Sequence, residues 1–553
     1  MWCYSPSAAG GRKSSHRGSR LPEEGLEGDW RCDADGFELT LVSRTDDRLA
    51  CVTSNSRVAL LQKNGAAYMG KEVCWNSGAP LRVHLLPQGN TLEWRKWNAA
   101  AGSWFAPRVL YRLTAEEAAA RGPYVVMDPL WEALNTGDTL LLRGSWLVDL
   151  CRASGLLPRR QDLPQGAAWE PDQLRGAVEA GAVRIVALSY CWRKPEHPDP
   201  QGEHLQKVAA LIERRLAYKF PDDTLVLEDL AIFWDYPCLL QEPRSGAEQE
   251  AFDRSINNVN LWYAHSSTEV WMFTQAAQNT PNFSARGWPT LERALSGFIT
   301  PGDSFLDLGV WERDEEGWAA EARKCRAHRD PPLRPERAAE MLATKTFTHG
   351  ADFGKVLRLY ERTYREVLGS VRSLNFFNLP QWGDSEAKAL AECLPDCPQL
   401  KELNLSFDNI GPVGAAALGA AASKCAQLRA VYMTENPLGD EGALTLLPGL
   451  ASCPALEMLM LSATGIGDLG AEAVAATLRR CPALQVICVD RCRISDAGAA
   501  AIGDAVSQHA VLEKLQISGN SISERAAAAL KNTWVRAGKE HATCLALGFE
   551  SSR

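Results

Sequence analysis

With 553 residues the chain exceeds what one hydrophobic core can organise, about 250 to 300 residues, so two to four domains are expected. Hydrophobic residues at 46% and charged residues at 23% exclude an intrinsically disordered chain. A net charge of -9 spread over this length argues against nucleic acid or an anionic membrane as the main partner, and no run of apolar residues is long enough for a transmembrane helix.

In chain order, residues 1–30 form a Gly/Ser/Arg-rich run without the apolar stretch of a signal peptide, and read as a disordered leader. The 16 cysteines are scattered or periodic, with no CxxC pair and no Cys/His cluster at zinc spacing. Reduced thiols, no metal and a cytoplasmic location follow as expectations. Residues 31–112 carry short β-like runs, such as Phe37–Val42 and Thr91–Trp94, between Gly, Asn and Asp turns, which predicts a small, mainly β module.

In residues 113–314, after a preface with a helical run at Trp146–Leu157, apolar runs of strand length alternate with helical stretches, the pattern of an α/β domain with a parallel sheet. The run Val183–Trp192 ends in Ser189, Tyr190 and Trp192 at the carboxyl edge, where open α/β sheets bind ligands. A helical stretch, Gln201–Lys219, follows. The next run, Leu230–Tyr236, ends in Asp235, then come a helix over Ala251–His265 and a strand over Thr268–Thr274. The segment Thr280–Leu295 turns into a helix on which Trp288 and Glu292, four apart, share a face. Residues 315–369 read as a charged helical linker interrupted at Asp330–Pro335, whose last helix, about Asp352–Leu368, would cap the C-terminal region. No GxxxxGK[ST] phosphate loop occurs.

Residues 370–538 repeat themselves at a step of 28, ahead of a tail at 539–553. Leu400, Leu428, Leu456, Leu484 and Leu512 fall in one column, and Leu403, Val431, Leu459, Ile487 and Leu515 in another. The x-L-x-L alternation predicts a short strand with one buried face, and the Ala/Leu-rich stretch opened by Gly414, Gly442, Gly470 and Gly498 predicts a helix after each. The column Asp408, Asn436, Thr464, Cys492, Asn520 sits where side chains can bond the freed backbone of the turn. Cys397, Cys425, Cys453 and Cys481 recur in a row and not around a tetrahedron, so buried thiols are expected there.

These columns resemble the ribonuclease-inhibitor class of leucine-rich repeats. That resemblance implies a solenoid presenting its concave strand face to a protein partner. The blocks ALSYCW, IFWDYPCLLQ, VWMFT and RGWPTLER, in that order, resemble the fungal heterokaryon-incompatibility domain and the related Toll/interleukin-receptor (TIR) domain. Pro289 stands where TIR domains usually have Cys, and the loop Arg193–Gly202 replaces their short polar turn. The resemblance implies a signalling module that self-associates or cleaves NAD as substrate, with Glu292 catalytic and Ser189, Tyr190, Trp192, Asp235 and Trp288 lining the cleft. Read from the residues alone, Glu292 is a solvated helix carboxylate or one paired with Arg286 or Arg293, and Asp235 caps the next turn or binds a ligand. The whole is an α/β multidomain protein of signalling or recognition type. An NAD hydrolase and a non-enzymatic scaffold are its alternatives.

Overall fold

The computed structural model describes residues 122–218, 227–275 and 282–539 in full, with the backbone of the strands within 28–112 and at 545–546. Two compact units emerge: Met1–Ala327 with Ala338–Thr363, and His328–Arg337 with Tyr364–Arg553.

The first unit begins with nine strands: β1 (Gly28–Arg31), β2 (Glu38–Thr45), β3 (Arg48–Thr53), β4 (Arg57–Asn64), β5 (Ala67–Cys74), β6 (Leu81–Gln88), β7 (Thr91–Asn98), β8 (Ser103–Trp104) and β9 (Arg108–Arg112). Each pairs antiparallel with the next as far as β7, which pairs with β9, and β9 returns to β1. Eight strands thus close a cycle, with β8 attached to β7, and closure leaves the eight without a free edge.

A second sheet is made of β10 (Leu142–Arg143), β11 (Val183–Ser189), β12 (Asp229–Phe233), β13 (Thr268–Met272) and β14 (Phe305–Asp307), in the order β10-β12-β11-β13-β14. The central strand β11 lies parallel to β12 and β13, β14 parallel to β13, and only β10 runs antiparallel. Every residue of β11, β12 and β13 is buried, which is why these strands read as continuous apolar runs and not as alternations. The helices Glu203–Ala217, Gly246–Asn257 with Asn260–Ala264, and Gly287–Ile299 make the three crossovers. The single helix expected over Ala251–His265 is two, because a capping box of Ser245 and Glu248 starts it early and the chain breaks at Asn258. On β13, fully buried Glu269 lies 3.5 Å from Arg184 of β11 and 3.4 Å from Arg215 of the first crossover helix, the compensation a buried carboxylate requires.

The second unit is the repeat array. Strands β15 (Ser373–Asn375), β16 (Glu402–Asn404), β17 (Ala430–Tyr432), β18 (Met458–Met460), β19 (Val486–Cys488), β20 (Lys514–Gln516) and β21 (Leu545–Ala546) form one parallel sheet. From β16 to β20 each register partner lies one 28-residue repeat further on. The segment His328–Arg337 contributes to the cap of the first repeat: Trp382 donates its indole N–H to the Arg329 carbonyl at 2.7 Å, and the Cys393 thiol donates to the Pro332 carbonyl at 3.2 Å. Within the last turns of the helix Asp352–Ser370, Tyr364 donates its hydroxyl to Asp396 at 2.7 Å.

Three side-chain ladders tie the repeats. Each of Cys425, Cys453 and Cys481 directs its thiol at a carbonyl 31 residues earlier, and His509 takes the next place in the column by bonding the Cys481 carbonyl at 2.9 Å. Asn436 and Asn520 donate to the carbonyls of Leu405 and Val489 at 2.7 and 2.8 Å and accept from the N–H of Ile410 and Ile494. A third ladder escaped the reading of the sequence. Asp384, Asp440 and Asp468 each accept two N–H groups at the start of the following helix, and Asp496 accepts one, but Pro412 holds the remaining place and accepts none.

Asp408 is the misfit of the asparagine column. Its Oδ1 accepts the Leu379 N–H at 2.8 Å, its buried Oδ2 has no partner, and burial pushes its carboxyl up to about 8. The unfolded chain releases this proton near pH 4, so the cost of keeping it grows as pH rises from about 4 to 8. Asp408→Asn supplies the missing donor. We expect no change in stability near pH 4 and a gain of about 1–2 kcal/mol at pH 8, measured by urea denaturation of the repeat unit at both values.

Candidate functional site

The carboxyl end of β11 carries Ser189 and, just beyond it, Tyr190, Cys191 and Trp192. Ser189 is fully buried and held in the sheet, its carbonyl accepting the Phe273 N–H at 2.9 Å. Its hydroxyl donates to Glu292 Oε2 at 2.6 Å across 103 residues of sequence. Glu292 lies on the helix Gly287–Ile299 and is half-buried. Burial pushes its carboxyl up to about 8, and the nearby Asp235 adds to the rise, while hydrogen bonds from Ser189 and Tyr263 pull it back. Tyr263, fully buried on the short helix Asn260–Ala264, has a single hydroxyl proton, directed at the Leu188 carbonyl at 2.9 Å and shared with the neighbouring Glu292.

Asp235 opens the short helix after β12. Its Oδ1 accepts the Tyr190 hydroxyl and the Tyr236 N–H, both at 2.7 Å, and its Oδ2 accepts the Trp192 indole N–H at 2.7 Å. Burial raises its pKa against these three bonds. Trp192 meets Tyr236 edge to face at 5.6 Å. The local fold explains the cluster: β11 and β12 run parallel in register, so their carboxyl ends emerge side by side.

Five of the six residues singled out in the sequence therefore stand in two neighbouring groups, Ser189 with Glu292, and Tyr190 with Trp192 on Asp235. Trp288 is directed elsewhere, its indole N–H donating to Asp352 at 3.1 Å. Tyr263 escaped the reading because it lay inside a stretch whose apolar spacing announced only a helix. Cys191 also lies near Glu292, but burial, then the Glu292 charge, push its thiol up to about 11, out of reach of nucleophilic work at neutral pH. Chemically the edge offers one carboxyl held largely protonated near pH 7 and a second pinned by three donors. Among the described residues no group of three or more His, Cys, Asp or Glu could hold a metal ion, and no helix is long and apolar enough to cross a membrane.

On the repeats, Met458 and Met460 on the outward side of the strand layer are half-buried, whereas Ala430, Tyr432, Val486 and Cys488 on the same side are buried. Just beyond β15 and β16, Phe377 and Phe407, 48% and 43% exposed, meet edge to face at 5.3 Å.

Among known proteins, the Leucine Rich repeat family matches at residues 396–419. A protein-arginine rhamnosyltransferase of Neisseria meningitidis is 22% identical over 191 residues, 31% of this chain and 47% of the relative, so the chain spans about half the length of that curated relative. Solved structures with some similarity include the tropomodulin C-terminal domain of Caenorhabditis elegans (14% identity, 32% of this chain, 90% of that one, TM-score 0.23). An internalin of Listeria monocytogenes is another (11% identity, 54% and 83% covered, TM-score 0.20). The C-terminal region is of leucine-rich-repeat type, a class that suggests protein–protein recognition.

Proposed function

We propose that the chain is a cytoplasmic signalling protein. Its repeats bind a protein partner, and its α/β unit, of TIR-like and heterokaryon-incompatibility-like kind, self-associates and cleaves NAD. The observation that carries the enzymatic half is the 2.6 Å bond between Ser189 and Glu292 at the carboxyl edge of a parallel sheet, on a carboxyl that burial has pushed up to about 8. Such a perturbed group beside a second carboxylate suits N-glycosidic cleavage. The bond between ribose C1′ and the nicotinamide nitrogen breaks, and nicotinamide leaves with the electron pair. Ionised Glu292 stabilises the cation left at C1′, and water adds there while giving its proton to Glu292. Asp235, fixed by Tyr190 and Trp192, is suited to hold a ribose hydroxyl.

For the repeats, the exposed aromatic pair Phe377–Phe407 supports partner binding, since exposed rings at close range make strong interface anchors. The experiment is NAD consumption by the full-length chain at high protein concentration, beside a folded Glu292→Gln variant. Turnover by the first and not the second supports the enzyme. Equal turnover overturns the role given to Glu292, and none by an assembled wild-type chain leaves a non-enzymatic interaction module.

A further inference from the structure

The helix that carries Glu292 begins poorly by its own means. Arg286 at its N-cap offers no side-chain bond to the first turn, and Pro289 has no N–H to give. The groups that complete the helix start come from about sixty residues later. Residues 345–352 cross its N-terminus, with Thr346 bridged in parallel to Arg286. The Thr346 N–H donates to the Ala285 carbonyl at 2.8 Å, and the Gly287 N–H donates to the Thr346 carbonyl at 3.0 Å. Three side chains add to this. The Thr346 hydroxyl donates to the Ala285 carbonyl at 2.9 Å, Arg286 donates to the Thr348 hydroxyl at 2.5 Å, and Trp288 donates to Asp352 at 3.1 Å.

Phe347 lies directly over Gly287. A Cβ at position 287 would stand 2.0 Å from its ring, so the glycine is where the strap presses home. Phe347 in turn meets Phe353 edge to face at 6.0 Å. Glu292 lies one helical turn beyond Trp288 on the same face. Whatever fixes the first turn therefore fixes the direction in which Glu292 points.

We propose that residues 345–352 are a positioning strap: Thr346 caps the helix start and Phe347 wedges against Gly287, together holding Glu292 on Ser189. The strap does not touch the reacting groups. It acts through the helix alone. That it matters for catalysis rests on the NAD-cleaving reading, whereas its mechanical role does not.

The test is hydrogen–deuterium exchange and NAD turnover on full-length Phe347→Ala, with Phe347→Leu as the conservative variant. In Phe347→Ala the amides of the helix Gly287–Ile299 are expected to exchange about tenfold or more faster while those of β11 keep their protection, with Phe347→Leu between the two. NAD turnover is expected to fall in kcat more than in KM, because Tyr190, Trp192 and Asp235 stay in place while Glu292 drifts. Unchanged exchange in the helix overturns the proposal. If exchange rises in the helix but the wild-type chain has no NAD activity, the strap stands and the enzymatic reading falls. Should β11 loosen as well, Asp352→Ala decides, since it removes the acceptor of the Trp288 bond and leaves the helix Gly287–Ile299 unaltered in sequence: faster exchange confined to that helix supports the strap, and none overturns it.

Discussion

Gly449→Ala is expected to cost the repeat unit about 4 kcal/mol or more, among the largest losses a single methyl group can cause. The helices Pro412–Ala422 and Gly439–Leu450 approach glycine to glycine. A Cβ at 449 would stand 1.8 Å from the carbonyl oxygen of Gly419 and 2.4 Å from its carbon, and both are backbone atoms. No rotamer can relieve that contact, so the two helices must separate. Gly442 on the same helix provides the control. There the nearest atom to an added Cβ is Leu438 Cβ at 3.0 Å, since Pro412 leaves empty the place where an aspartate crowds the matching glycine of other repeats. At Gly498, for comparison, Asp468 Oδ1 lies only 2.5 Å away. Gly442→Ala should change stability by about 1 kcal/mol or less, because alanine's better helix propensity offsets mild crowding. Urea denaturation of the repeat unit, followed by circular dichroism, distinguishes the two. Equal losses would refute the close-approach argument.

Under the proposed NAD cleavage, Glu292→Gln should abolish turnover and make the α/β unit more stable at once. The stability half depends on sign. A carboxyl that titrates near 4.3 in an unfolded chain and at about 8 in the fold makes the fold less stable as pH rises between those values. Glutamine removes that cost while keeping the bond from Ser189. The variant should match wild type near pH 4 and exceed it at pH 8, by about 1–3 kcal/mol. For activity the sign runs the other way. Ionised Glu292 is the form that stabilises a ribosyl cation, so kcat/KM of the wild-type chain should climb with pH and level off above about 8. A profile falling through that range would assign Glu292 a proton-donating role. A Glu292→Gln variant less stable than wild type at pH 8 would mean that the carboxyl is a structural anchor.

The repeat array was legible because its information is periodic: a 28-residue step places the strands β16 to β20 and their inward apolar residues without knowledge of any contact, whereas β15 and β21 lie 29 and 30 residues from their neighbours and fall outside it. The aspartate ladder obeys the same step and still escaped notice. Its members begin solvated helices, and Pro412 interrupts the column, so nothing in the residue types marks Asp384 or Asp468 as ties between repeats. In the α/β unit, the buried runs announced β11, β12 and β13, whereas β10 and β14, two and three residues long, are too short to carry a period. Ser189, Asp235 and Glu292 could be picked out as chemistry-bearing positions, but not their pairing, which depends on a helix folding back across 103 residues. Gly287 is the clearest case of hidden meaning. Its lack of a side chain makes sense only once Phe347 is above it.

The vacancy at Pro412 makes the repeat array unequal in what holds it together. A solenoid coheres through its nearest-neighbour junctions, and each can fail separately. Where Asp468 and Asp496 tie one helix start to the next, their bonds to Ser495 and Ser523 hold both carboxyls below the usual carboxylate range, so these junctions weaken as acid protonates them. The junction at Gly419 and Gly449 lacks an aspartate tie and is held by close backbone packing together with the uncharged bonds of Asn436 and Cys453. Acid and heat should therefore part the array at different seams. Acid would release the C-terminal repeats first and leave the glycine seam closed, so one chain would yield two distinct partly unfolded forms depending on how it was stressed.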